Sequence, residues 1–211
     1  MAEGSAAAFT LPPLGYPYDA LEPNIDTMTM GIHHDNHHGG YVKNLNSLAE
    51  KWPELATRPV EETLSNLSVV PEEIRTAVRN NLGGHWNHTY FWDLMTPGGA
   101  QEPTEEVKAA IGGVFGDVDK MKAAVKKAGL GQFGSGWAWL GAGKDKKLMV
   151  FSTANQDTPH IYVGAKPILA IDVWEHAYYL KHQSKRGEYI DVWWNTLNWD
   201  KVAANFKKAM A

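Results

Sequence analysis

Imidazoles and carboxylates concentrate in three short stretches of this chain. His33-His34-Asp35-Asn36-His37-His38 lies near the N-terminus, His85 and His88 flank Trp86-Asn87, and Asp172 and His176 stand close together near the C-terminal end. Asp172 follows the apolar run Pro167-Ile168-Leu169-Ala170-Ile171, which has the pattern of a buried strand, and His176 falls one step into what reads as a helix. A hard carboxylate oxygen and a borderline imidazole nitrogen, brought together among Trp174, Tyr178 and Tyr179, make half of a transition-metal site. The same Asp would also serve as an ordinary cap at a helix start, so the other histidines decide between the two.

His33, His37 and Tyr41 are spaced i, i+4, i+8, which places them along one face of an α-helix. His34 and His38 point elsewhere, into solvent or packing. His88 and Trp92 are four apart and face the same way, with His85 turned off that face. Taken alone, His88 reads as a satisfied core histidine. Taken together, two helices each offer an inward histidine and the strand-to-helix junction offers an Asp and a His. Three neutral nitrogen donors and one carboxylate suit Mn, Fe or Zn and suit Ca or Mg poorly.

The elements that must position these groups are legible in outline. Four prolines over residues 9 to 24 make an extended lead-in, with Tyr16, Tyr18 and Leu21 as anchors. Asp26-Thr27 signals a helix start, and apolar spacing carries that helix to about Lys51. Gly39-Gly40 lies inside it at a cost of about 1 kcal/mol per glycine relative to Ala, so the spacing predicts a packing or access reason. A short helix over 59–67 and a longer one over 72–95 follow, the latter with Ile74, Val78, Leu82, Trp86, Phe91 and Leu94 on its apolar stripe. Met95 to Thr104, punctuated by Pro and Gly, reads as a linker. Beyond it come helices from Thr104 to about Gly112 and from Asp117 to Lys127. A hairpin of Trp137–Leu140 with Leu148–Thr153, a third strand ending at Asp172, and a helical close from Trp193 to Lys208 broken near Asn198 complete the pattern. The expected class is α+β: a helical domain over 1–95, a linker over 96–104, and an α/β domain over 105–211 with a small three-stranded sheet.

Composition removes several function classes. The chain has 211 residues, 44% hydrophobic and 21% charged, enough for a substantial core. A net charge of -4 without any Lys/Arg stripe argues against a nucleic-acid partner. With no cysteine, thiol catalysis and iron–sulfur ligation are out, and any metal must be held by His, Asp or Glu. No apolar stretch approaches the roughly 20 residues that span a bilayer. The small residues of Met1–Ala8 read as a tag remnant or the remainder of a removed leader, which leaves a bacterial cytoplasm or a mitochondrial matrix as the expected location.

Asp172-Val173-Trp174-Glu175-His176-Ala177-Tyr178-Tyr179 resembles the signature of the iron/manganese superoxide dismutase family. The histidine-rich helix, Asn87-His88 with Trp92, and Phe133-Gly134-Ser135-Gly136-Trp137-Ala138-Trp139-Leu140 resemble its other hallmarks, in family order from about Phe9 to Phe206. The resemblance implies an N-terminal helical hairpin domain and an antiparallel C-terminal sheet. It implies His33, His88, Asp172 and His176 as metal ligands, with solvent as the fifth. It implies that His37 and Tyr41 flank an entrance funnel, that Trp92, Trp137, Trp139 and Trp174 keep the site dry, and that Arg186 near the funnel attracts the anionic substrate. Glu175 and Tyr179 would reach across a homodimer interface, Glu175 to a ligand histidine of the partner and Tyr179 to its gateway histidine; a tetramer remains compatible with such a dimer.

One amide bears on the metal. In the family, a glutamine beside the coordinated solvent comes from the second helix in iron enzymes and from the sheet region in manganese enzymes. Here the helix position is Gly84 and the sheet position is Gln156, which resembles the manganese form: one manganese ion per subunit, with iron as the alternative. The reaction implied is conversion of superoxide to dioxygen and hydrogen peroxide by Mn(III)/Mn(II) cycling, with a Gln156-Tyr41-His37 chain relaying protons. Departures from the family pattern are Asn36 in place of a common Lys, the glycines at 39 and 40, Gly187 in place of a common Pro, and a short stretch from Gln156 to Pro167. Rival readings are a two-His, one-carboxylate iron oxygenase, for which the ligand set leaves too few open positions, and a non-catalytic metal-binding protein.

Overall fold

In the computed structural model, the described residues are 8–99, 102–162 and 164–211, with Tyr162 described by its backbone. Met1–Ala7 of the expected leader remnant, and Ala100 and Gln101 of the expected linker, lie outside them. Asp26 starts the first helix by accepting from the Thr29 amide at 2.8 Å and its hydroxyl at 2.5 Å, satisfying a donor that the first turn leaves unpaired. The helix runs unbroken through α1 (Thr27–Gly31), a π-helical stretch Ile32–His38, and α2 (Gly39–Lys51). The π stretch is a correction to the α-helical spacing read from the sequence. Bonding from i to i+5 fits an extra residue into the turn, and the histidines occupy that widened turn.

Helices α3 (Val60–Ser65) and α4 (Glu72–Asp93) complete the hairpin domain. Val42, Leu45 and Ala49 of α2 pack with Leu64 of α3 and Val78 and Leu82 of α4 in one buried cluster. Each such Val or Leu side chain taken fully from water contributes roughly 1.5–3 kcal/mol. The opposite face of α4 carries Phe91 and Trp92 into the second core, so this helix is buried on two sides and links the halves of the molecule. Its interior glycines have a reason: an added Cβ at Gly83 would stand 2.2 Å from the Gln156 carbonyl oxygen, and one at Gly84 would meet the Tyr41 ring at 2.8 Å. Gly39 and Gly40 have none in packing, since a Cβ at Gly39 makes ordinary contact with Leu11 and one at Gly40 meets nothing within 4 Å.

Thr104 and Asp117 cap α5 (Glu105–Phe115) and α6 (Val118–Gly131), both longer than the sequence predicted. Strands β1 (Gly136–Ala142) and β2 (Leu148–Ala154), the short α7 (Pro159–Tyr162) and β3 (Lys166–Asp172) follow. The sheet is antiparallel in the order β2-β1-β3, with β1 buried along its whole length. A strand covered on both faces has no solvent side on which to place polar residues, hence Trp-Ala-Trp-Leu without alternation. Register sets Trp137 opposite Asp172 on one side and Thr153 on the other. The chain ends in α8 (Tyr179–His182), α9 (Arg186–Trp193) and α10 (Trp199–Met210). Helix α9 lies ahead of the helical close read from the sequence. Among the described residues, no helix is long and apolar enough to cross a membrane.

Candidate metal centre

Four side chains from three distant parts of the chain meet in the interior. His33 comes from the π stretch, His88 from α4, Asp172 from the end of β3, and His176 from a 3₁₀ turn, Glu175–Ala177. The sequence placed His176 in a helix. Instead Asp172 Oδ1 accepts from the Trp174 amide at 2.8 Å, a local turn that folds His176 back over its own carboxylate. One ligand atom from each of the four lies within 4.8 Å of the others. Asp172 Oδ2 stands 3.1 Å from His33 Nε2, 3.3 Å from His176 Nε2 and 3.7 Å from His88 Nε2.

The charge balance of this cluster calls for a cation. Asp172 is fully buried. Burial alone would push its carboxyl upward, but the interactions with His176 and then His33 outweigh it and hold the group ionised. Burial, then the neighbouring His176, lowers His33 to about 4, and burial with His33 drives His88 well below its usual value, so both are neutral imidazoles at pH 7. His88 Nδ1 lies 2.7 Å from the Gly84 carbonyl, which can only accept, so its proton is there and Nε2 carries a lone pair. The His88 Nε2 is buried without a hydrogen-bond partner, and the His33 Nε2 is buried facing Asp172 Oδ2. Buried imidazole nitrogens converging on an ionised carboxylate, one of them an unpaired lone pair, fit a divalent or trivalent transition metal, and their number and softness fit Mn, Fe or Zn better than Ca.

The surrounding shell is aromatic. His37 stacks on His176 at 4.0 Å between ring centres, and Trp174 stacks on its ring at 5.2 Å. Trp92 meets His33 edge-on at 4.8 Å and Trp137 meets His88 at 5.3 Å. Gln156 follows Asn155, whose left-handed φ of 52° turns the chain inward after β2. Its Oε1 accepts from Asn87 Nδ2 at 3.1 Å and from Trp137 Nε1 at 3.0 Å, which fixes the amide so that Nε2 donates to the Tyr41 hydroxyl at 3.1 Å. Burial, then the Asp172 charge, pushes Tyr41 up to about 12, so it is a neutral phenol. Arg79 holds the next residue, Asp157, through Nε at 2.6 Å and Nη2 at 2.5 Å, a bidentate clamp from α4 onto the Gln156 loop.

Two expected site residues do other work. Trp139 sits behind Trp137, its Nε1 donating to Thr153 Oγ1 at 2.9 Å and its ring against Trp86 and Tyr90, because side chains two apart on β1 share a face but not a neighbour. Arg186 donates to the Tyr178 hydroxyl and to the carbonyls of Gly129, Gln132 and Gly134 at 2.6–3.1 Å, so it ties α9 to the turn before β1 rather than presenting a free guanidinium. Glu175 and Tyr179 stand exposed, and among the described residues neither side chain has a hydrogen-bond partner. Sequence reasoning gave no site role to Asp157, His38 or His85, and named Asn87 only as part of the Asn87-His88 stretch. Only Asn87, adjacent to His88, carried a local signal.

Comparison with known proteins agrees with this geometry. Residues 8–96 match the family described as "Iron/manganese superoxide dismutases, alpha-hairpin domain", and residues 103–205 match its C-terminal domain. A "Superoxide dismutase [Mn]" of Thermus thermophilus is 55% identical over 201 residues, 95% of this chain and 98% of that protein. One of Listeria innocua is 51% identical over the same length, with the same shares covered, and a "Superoxide dismutase [Mn/Fe]" of Methylomonas sp. is 50% identical over 204 residues, 97% of this chain and all of that protein. With both halves matched in order and the four potential ligands converging, the chain belongs to the iron/manganese superoxide dismutases.

Proposed function

We propose that this protein is a superoxide dismutase that holds one manganese ion per subunit through His33, His88, Asp172 and His176. The observation that carries the reading is the buried convergence of these four groups with the His88 Nε2 lone pair left unpaired. A bound manganese ion supplies one-electron exchange between trivalent and divalent states. That exchange would let one superoxide be oxidised to dioxygen and a second be reduced, with two protons, to hydrogen peroxide. Gln156 Nε2 has one N–H committed to Tyr41 and a second for solvent or substrate. Tyr41 keeps its own proton to donate, and half-buried His37 stands between the cluster and the surface. Trp92, Trp137 and Trp174 exclude water, which strengthens every charge interaction inside.

Gln156 at the sheet position supports manganese. The Tyr41 ring fills the space beside Gly84, so a glutamine in α4 would displace it. The relative named for both metals supports iron tolerance as the second reading. Exposed Glu175 and Tyr179 would complete a homodimer, with residues 1–95 and 105–211 as two domains joined by 96–104; the bacterial relatives support a bacterial cytoplasm as the location. Purified protein is expected to consume superoxide after manganese loading and to stop after chelation, and His176→Ala is expected to lose both metal and activity. A manganese-loaded protein that leaves superoxide untouched would make it a non-catalytic metal-binding protein instead.

A further inference from the structure

His88 and Asp172 are each held by a hydrogen bond facing away from the cluster, and His176 lies against two stacked rings. His33 differs: among the described residues its Nδ1 has no hydrogen-bond partner, so on the side away from Asp172 its ring is held by packing, with His176 at 4.5 Å, the Trp92 indole edge-on at 4.8 Å and His88 at 4.9 Å. What holds Trp92 therefore matters. Its Nε1 donates to His38 Nδ1 at 3.0 Å, and His38 Nε2 lies 2.8 Å from His85 Nδ1.

The polarity of this chain follows from one fact, that an indole N–H can only donate. His38 Nδ1 must then be the acceptor, so a neutral His38 carries its proton on Nε2. That proton points at His85 Nδ1, which must also be a lone pair, leaving the His85 proton on Nε2. Protonating either ring fully would set two donors face to face. Burial, and for His38 the neighbouring His85, lowers both, His38 to about 2, in agreement with two neutral rings. His85 Nε2 has no protein partner among the described residues, and His85 borders a cavity of about 540 Å³ between α4, α7 and α10.

We propose that His38 and His85 are positioning residues: a neutral pair of fixed tautomers that anchors the Trp92 indole and through it holds the ligand His33 in place. The proposal rests on the reading of the cluster as a metal centre, but its tests do not read dismutation. A neutron structure of the perdeuterated, metal-loaded protein is expected to show deuterium on Nε2 of both rings and on Nδ1 of neither; deuterium on either Nδ1 overturns the scheme. The second test compares His85→Asn, whose amide oxygen can reach the position of Nδ1 and accept, with His85→Leu, which leaves the His38 donor buried and unpaired. Release of manganese into excess chelator is expected to quicken about 10-fold or more in His85→Leu and to stay within about twofold of the parent in His85→Asn. Equal release from both variants, or no change in either, overturns the proposal. Should His85→Leu fail to fold, the tautomers seen by neutrons decide. A protein that passed these tests yet left superoxide untouched would refute the proposed activity and leave this inference standing.

Discussion

The Gln156 amide is the residue on which most of the site's interactions turn. It takes two donors on Oε1 and gives one to Tyr41. Gln156→Leu is expected to leave the metal in place, because no ligand is touched, while turnover falls about 10-fold or more. Elemental analysis beside stopped-flow superoxide decay would separate the two effects; loss of metal would count against the role given to the amide. Gly84→Ala presses a methyl into the Tyr41 ring at 2.8 Å, with an expected cost of about 1–3 kcal/mol in a thermal melt and a displaced Tyr41–Gln156 bond. The identities of His33, His88, Asp172 and His176 were legible because each sits in a patterned stretch. The need for glycine at 84 was not, since the atoms it avoids belong to residue 41.

At the scale of elements, the glycines of the first helix and those of α4 divide sharply. Gly40 meets nothing, so Gly40→Ala is expected to stabilise the protein by about 0.5–1 kcal/mol in urea unfolding, through lower backbone entropy in the unfolded chain. Arg186 ties α9 to the turn at Gln132–Gly134 by a fork of donors that a lysine ammonium cannot reproduce. Arg186→Lys is expected to cost about 2 kcal/mol, read by the same unfolding curve. Helix periodicity predicted most elements because it is a local signal. It missed the π stretch because the same histidine spacing fits either helix, and the choice falls to packing against α4 and the 3₁₀ turn.

Across the whole molecule, the hairpin domain supplies His33 and His88 and the C-terminal half supplies Asp172 and His176, so a bound ion ties the two together. At a metal concentration about 1,000 times its dissociation constant, binding adds about 4 kcal/mol, which at about 2–4 °C per kcal/mol for a chain of this size places the metal-free melt about 8–16 °C lower. Calorimetry before and after chelation checks this. Acid should act in the same direction through buried histidines other than the four potential ligands. Burial, the leading cause for each, lowers His38 to about 2 and lowers His85 and His160 in the folded state. The unfolded chain therefore binds more protons than the folded one as pH drops below about 6.5, and stability present above that pH is lost towards the folded values, at up to about 1.4 kcal/mol per pH unit for each histidine. Unfolding curves at pH 7.5 and 5.0 would show it; equal stability at the two would refute it.

The sequence by itself determined most of the helices, the three strands and the kinds of donor available, because periodicity and residue chemistry act over a few positions. It also determined the family, through stretches whose order survives as a string. Only the tertiary structure decided which way the His38–His85 pair is protonated, that Arg186 is spent on carbonyls, that Trp139 backs the site rather than lining it, and that Gly83 and Gly84 clear room for Gln156 and Tyr41. Most of those depend on atoms brought together from residues 40 or more positions apart, and no local pattern encodes where such atoms will meet.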